Sequence, residues 1–304
     1  MTDPPPGKRV KLQDKHVELR NGVRMPAVGL GTYKMKGAEA QGAVSTALRL
    51  GYRLVDTASA YENERAVGAA VAASGLLREQ VFVTTKVKRS RHGYESTKAE
   101  VHASLARLGL RFLDLVLIHW PGHKDWGTQL PPGFTPRMRD ETWRALEELY
   151  DGGLIRAIGV ANYSTRHLET LMGVCRVKPM VNQVEFHPWL LQGALLAYCH
   201  EHNIAVQAYG SLGTGDAAAA PQFFGLGPVA AAAKVHDVTP AQVLLRWALQ
   251  KGVSVIPKSV SEGHQRENAQ VDGFELTDAE MHAIDAEHRG KRLAWRGKDP
   301  DTVP

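Results

Sequence analysis

From residue 27 onward, short apolar runs alternate with amphipathic stretches. The runs at 27–32 (AVGLGT), 53–57 (RLVDT), 81–86 (VFVTTK), 113–119 (LDLVLIH), 155–160 (IRAIGV), 180–185 (MVNQVE), 204–209 (IAVQAY) and 253–257 (VSVIP) predict strands. Helical spacing of apolar positions follows near 38–50, 62–73, 95–108, 140–151, 165–174, 193–202 and 239–250, with a further helix near 264–269 after the last strand. Parallel strands covered on both faces read as near-continuous apolar runs rather than as strict alternation. Eight such strand–helix units predict an α/β fold, a single (β/α)8 TIM barrel with its active site at the C-terminal strand ends. Upstream, HVELRNGVRMP sets two alternating runs around Asn21-Gly22. That pair favours a type I′ turn, so a β-hairpin closing the barrel bottom is predicted. Residues 1–15, with Pro4-Pro5-Pro6, read as a flexible tail, 16–288 as the barrel, and 289–304 as a C-terminal tail near the substrate pocket.

Length alone leaves two domains or one large barrel open for 304 residues, and the repeating pattern selects the barrel. With 43% apolar and 23% charged residues, the composition is that of an ordinary globular protein. Two cysteines, Cys175 and Cys199, exclude a disulfide scaffold and match no metal-ligand spacing. No apolar h-region occurs in the first 30 residues and no apolar stretch has spanning length, so a cytoplasmic protein without a membrane segment is expected. The net charge of +5 is confined to the tails: four cations against two acids over 1–15, five against two over 288–304, and 28 of each between. A neutral body argues against nucleic acid as a partner.

Two segments imitate a dinucleotide fingerprint. Gly29-Leu-Gly31 has Lys34 where the third small residue is required, and Gly225-Leu-Gly227-Pro-Val-Ala230 follows a loop without the acid that should come after and reads as a helix start. His200-Glu201-His202 has the wrong spacing for a zinc helix, and no metal is expected. The predicted strand ends are more informative. They carry Asp56, with Tyr61 just beyond, Lys86 and His119. Each residue taken singly has an ordinary structural reading; together on one rim they suit proton donation to a carbonyl. Tyrosine, with an ordinary pKa of about 10, is a poor acid at neutral pH. A neighbouring Lys86 ammonium is expected to lower that value, Asp56 to hold the ammonium, and His119 to orient a carbonyl oxygen.

At these residues the chain resembles the aldo-keto reductase family, over roughly 16–288. The resemblance is carried in order by GLGTY at 29–33, DTASAYENE at 56–64, TTK at 84–86, LIHWP at 117–121, GVANY at 159–163, NQVEFHP at 182–188, AYGSLG at 208–213, and IPKS at 256–259 with Glu267-Asn268. It implies NADPH-dependent reduction of aldehydes and ketones, with Tyr61 the general acid, Asp56 and Lys86 its tuning partners and His119 the orienting residue. It also implies that Gly31 and Thr32 border the cofactor, that Asn162 and Gln183 bind the nicotinamide carboxamide, and that Tyr209 stacks on the ring. Ser211, Leu212 and the loop 213–227 would fold over the pyrophosphate. Lys258 and Ser259 would meet the adenosine 2′-phosphate, with Glu267 and Asn268 near the adenine.

The chain departs from the family pattern at several of these positions. Ala161 replaces a serine before Asn162, and Gly210-Ser211 stands where Ser-Pro is usual. His264 falls where many members place an arginine against the 2′-phosphate, so some use of NADH is expected beside NADPH. Tyr33 and Lys88 replace common tryptophans, which makes the expected pocket less aromatic and more basic. Trp120, Trp126, Phe134 and Trp295 are its other candidate walls, with 122–139 a long substrate-shaping loop. Small polar or anionic carbonyl compounds are the expected substrates, for a monomeric enzyme. Two other readings stay open: an NADPH-binding redox-sensing or structural protein without turnover, and a Schiff-base lyase using Lys86.

Overall fold

The computed structural model describes residues 15–122, 133–213 and 219–304. Eight parallel strands run in chain order around one sheet: β3 (Leu30–Gly31), β4 (Leu54–Asp56), β5 (Phe82–Val87), β6 (Leu115–Ile118), β7 (Ile158–Ala161), β8 (Val181–Glu185), β9 (Ala205–Tyr209) and β10 (Ser254–Val255). The first and last meet. Val28 bridges Val255 in parallel, Gly29 N donates to Val255 O (2.9 Å) and Val255 N to Ala27 O (2.8 Å), which closes the barrel. Gly31 is required at this seam, because a Cβ there would lie 2.6 Å from the Ile256 carbonyl oxygen.

Helices α1 (Gly37–Arg49), α2 (Glu64–Ala72), α3 (Tyr94–Leu108), α4 (Phe134–Asp151), α5 (Thr165–Val174), α6 (Gly193–Glu201), α9 (Pro240–Gln250) and α10 (Glu262–Ala269) supply the helical layer that the apolar spacing predicts. Two more were not read from the sequence, α7 (Ala219–Phe224) and α11 (Asp278–Asp285), while α8 (Gly227–His236) starts within the Gly225–Ala230 segment read as a helix start. The expected pyrophosphate loop 213–227 is therefore partly helix. Likewise 134–139 belongs to the first turns of α4 rather than to a loop, and 123–132 lies outside the described residues.

A hairpin, β1 (His16–Glu18) against β2 (Arg24–Pro26), precedes the barrel with Val17 opposite Met25. Its turn differs from the expected type I′. Only Gly22 takes positive φ (80°), Gly22 N donates to Leu19 O and Leu19 N to Val23 O, which makes a three-residue loop with glycine at its left-handed position. Asn21 Nδ2 donates to Arg156 O (2.9 Å), just ahead of β7. The hairpin thus covers the N-terminal strand ends and leaves the C-terminal ends to form the site. Among the described residues no helix is long and apolar enough to cross a membrane.

Candidate active site

Asp56 ends β4, Tyr61 closes the short 3-10 turn Ser59–Tyr61, Lys86 lies near the end of β5, and His119 follows β6. Three neighbouring parallel strand ends thereby bring these four side chains to one place. The Lys86 ammonium, fully buried, donates to both Asp56 oxygens (2.6 and 2.7 Å), to Thr57 O (2.9 Å) and to the Tyr61 hydroxyl (3.3 Å). The Tyr61 and His119 rings meet edge to face at 5.6 Å.

Burial sets the electrostatics. It pushes the Tyr61 hydroxyl well above its ordinary pKa, and the Asp56 charge adds to the rise. This corrects the sequence-based expectation of a lowered value: desolvation of the phenolate, together with the carboxylate, outweighs the ammonium. Burial also lowers Lys86, against the opposing pull of Asp56 and Glu64. His119 is held well below 6.5 by burial and by the Lys86 charge, so it stays a neutral imidazole.

Residues that the sequence reading passed over hold this group together. Thr57 Oγ1 donates to Asn63 Oδ1 (2.6 Å), and Asn63 Nδ2 donates to Thr32 O (2.9 Å) and Met35 O (3.1 Å). Thr32 Oγ1 donates to Asp56 O (2.9 Å), so the Thr32 side chain is buried between strands and does not reach the cavity. The sequence signal for Asn63 is its place in the DTASAYENE run at 56–64, two residues after Tyr61.

A cavity of about 640 Å³ opens over these residues. Asp56, Tyr61 and His119 share its wall with Gly31, Asn162, Gln183, Tyr209 and Lys258. Asn162, in the left-handed region (φ 62°) that asparagine tolerates, donates to His119 O (2.8 Å) and accepts from the Tyr209 hydroxyl (2.6 Å). Ser211, Leu212, Ser259, His264, Glu267 and Asn268 are not on that wall. Ser259 Oγ accepts from Ser261 N (3.1 Å), and Ser261 Oγ caps α10 at His264 N (3.4 Å). His264 is exposed on the first turn of α10, and Arg266 pairs with Glu262 (2.9 Å).

On the outer side Tyr33, Trp120 and Trp295 line the cavity as the sequence predicts. Trp295 lies 5.7 Å from His119, 5.4 Å from Trp120 and 6.0 Å from Tyr33, ring to ring. Lys88 and Phe134 are not on the wall. Lys88 turns toward Glu100 (4.0 Å), and Arg89, one residue on, faces the cavity instead. Trp126 lies outside the described residues. The sequence reading also missed Lys34 and Lys298 on the wall.

The tail bearing Trp295 is held from beneath. The buried Glu185 carboxylate accepts from Leu293 N (2.6 Å), Ala294 N (2.9 Å) and His187 Nε2 (2.9 Å). Further along, Arg166 donates to Asp301 O (2.8 Å) and Val303 O (2.6 Å).

This fold and site define a barrel oxidoreductase class, and comparison with known proteins agrees. The sequence model of the Aldo/keto reductase family matches residues 27–288. The chain is 45% identical over 286 residues to 9,11-endoperoxide prostaglandin H2 reductase of Trypanosoma cruzi, covering 94% of each chain. It is 44% identical over 288 residues to glyoxal reductase of Bacillus subtilis, covering 94% of this chain and 96% of that one. Among solved structures, Bombyx mori aldo-keto reductase in complex with NADP superposes with a TM-score of 0.87 at 31% identity, covering 97% and 98%. The chain belongs to the aldo/keto reductase family and is an oxidoreductase.

Proposed function

We propose that the protein reduces aldehydes and ketones to alcohols with NADPH, Tyr61 acting as general acid. The observation that carries this reading is the Tyr61 hydroxyl on the cavity wall, 3.3 Å from an ammonium that Asp56 grips with both oxygens. A phenol with a raised pKa keeps its proton at working pH. The adjacent charge stabilises the phenolate that forms as the proton leaves. Neutral His119 donates a hydrogen bond to the carbonyl oxygen without competing for that proton.

The residues present suit a nicotinamide dinucleotide, which supplies the hydride when bound. Gln183 and Asn162 would hold the carboxamide. Asn162 Oδ1 has a second lone pair beside the one that Tyr209 occupies. The Tyr209 ring would lie against the nicotinamide. Lys258, on the wall, and the N-terminus of α10 would meet the 2′-phosphate. The complex of the Bombyx mori relative with NADP supports this assignment.

Exposed His264 gives a weaker phosphate grip than an arginine, because an imidazole cannot present the two parallel N–H donors of a guanidinium. NADH is therefore expected to serve as a second donor beside NADPH, which parallel kcat/KM measurements with the two cofactors check. A large NADPH preference would count against this. Lys34, Arg89 and Lys298 on the outer wall, where Asp56 is the only carboxylate among the described residues, favour small polar or anionic carbonyl substrates.

The deciding experiment follows NADPH oxidation with a simple aromatic aldehyde. Tyr61→Phe is expected to lose about 10²–10⁴-fold in kcat while NADPH binding stays intact. Undiminished turnover in that variant, or binding by the native protein without turnover, overturns the reading.

A further inference from the structure

Beneath the catalytic group, a file of buried amides crosses the barrel interior. Gln183, on β8, donates from Nε2 to Asp56 Oδ2 (2.8 Å) and from the same nitrogen to Gln207 Oε1 (2.7 Å). Gln207, on β9 and directly beside Gln183 in the sheet register, donates from its own Nε2 to Met25 Sδ (3.7 Å) in the hairpin. Gln207 and Met25 are fully buried, and Gln183 is nearly so.

The chemistry of the two ends fixes the direction of the file. A carboxylate accepts and cannot donate, and a thioether is likewise only an acceptor. Met25 therefore turns the Gln207 amide so that its NH2 faces the hairpin and its oxygen faces Gln183. That oxygen and Asp56 then claim both N–H groups of Gln183. Reversing Gln207 would set NH2 against NH2, and reversing Gln183 would aim its oxygen at the Asp56 carboxylate. One orientation satisfies every member, and it leaves Gln183 Oε1 as the polar atom that Gln183 offers to the cavity.

We infer that Gln207 is a positioning residue: through Gln183 it fixes the acceptor that receives the N–H of the cofactor's carboxamide. The inference rests on the nicotinamide reading above. Without the Gln207 oxygen, Gln183 is tethered at Asp56 alone and can swing about that single bond, which moves Oε1 off its target. The effect belongs to cofactor affinity and not to the carbonyl substrate, whose contacts lie on the far side of Tyr61 and His119.

The test measures NADPH dissociation constants by quenching of protein fluorescence, with the unfolding midpoint of each cofactor-free variant as a control. Gln207→Leu is expected to weaken NADPH about tenfold, the scale of one lost buried hydrogen bond. It should raise the KM for NADPH and leave the KM for a simple aldehyde unchanged. In a Gln183→Leu background the same change should add nothing, because its only route of action has gone. Gln207→Met has the same length and offers a weak acceptor, and about threefold weakening is expected. It serves in place of the leucine variant should that one fold poorly. NADPH binding of native strength in the variants overturns the inference. So does an equal loss with and without Gln183, which marks a merely structural role. A native protein that neither binds nor oxidises NADPH instead overturns the functional reading on which the inference rests.

Discussion

Tyr61 and Lys86 are driven in opposite directions by the same burial. The phenol is raised well above its ordinary value of 10.0 and the ammonium is lowered from 10.5, so on raising the pH the lysine gives up its proton first. The alkaline limb of kcat/KM, which reports on the free enzyme, is therefore expected to follow Lys86. The function that depends on this charge is present below the lysine's folded pKa and lost as pH rises through it. Asp56 opposes the fall, so Asp56→Asn is expected to shift the alkaline limb to lower pH while Tyr61 remains protonated. An unmoved limb in that variant would point to Tyr61 as the titrating group. On the acid side, His119 is neutral down to well below 6.5, so its protonation should cause no decline in kcat/KM between about pH 6.5 and pH 8. At this scale the side chains gathered on the rim were legible and their proton affinities were not. Residue types at strand ends are legible. The balance between desolvation and charge depends on depth, which only packing determines.

Among the elements, the segment after α11 is bound to the barrel by backbone hydrogen bonds as well as by buried Ala294 and Val303. Leu293 N and Ala294 N are both spent on Glu185, one residue short of Trp295, which takes positive φ (55°) and covers His119. Glu185→Gln keeps the shape and removes the charge from these bonds, each roughly half as strong when neutral. A rise of several-fold in the carbonyl KM is expected, with kcat changed less and Trp295 emission shifted to the red. Unchanged kinetics would show that the tail is held by Arg166 and the 300–303 turn alone. The strands and most helices were legible because buried parallel strands and amphipathic helices leave distinct periods. Helix α11 was missed although Thr277-Asp-Ala-Glu280 is a capping-box signal, realised here by Glu280 N donating to Thr277 Oγ1 (3.3 Å). Helix α7 and the extent of α8 were missed because Gly225 and Gly227 interrupt an alanine-rich stretch that carries little periodicity. Arg89 rather than Lys88 faces the cavity because the strand gives way there to the 3-10 turn Arg89–Arg91, which breaks the alternation that sequence reasoning extends.

For the molecule as a whole, the pattern of eight units was sufficient to give a barrel, yet not to show how it shuts. Strands β3 and β10 contribute only two residues each, and their contact joins parts of the chain that are very far apart in sequence. Contacts of such long range carry the greatest loop-closure entropy. This seam is thus the natural place for the barrel to breathe: its amides at Gly29, Gly31 and Val255 are expected to exchange with deuterium sooner than those of β5 to β8. Gly31 and Lys258 line the cavity from either side of it. A dinucleotide lying across that gap would work as a zipper pull, slowing exchange at these amides more than elsewhere and raising the unfolding midpoint as its concentration exceeds its dissociation constant. Uniform protection across the sheet on adding NADPH would place the weak point elsewhere. The cofactor would then be more than a reagent. It would be the fastener that keeps a closed cylinder from opening at its seam.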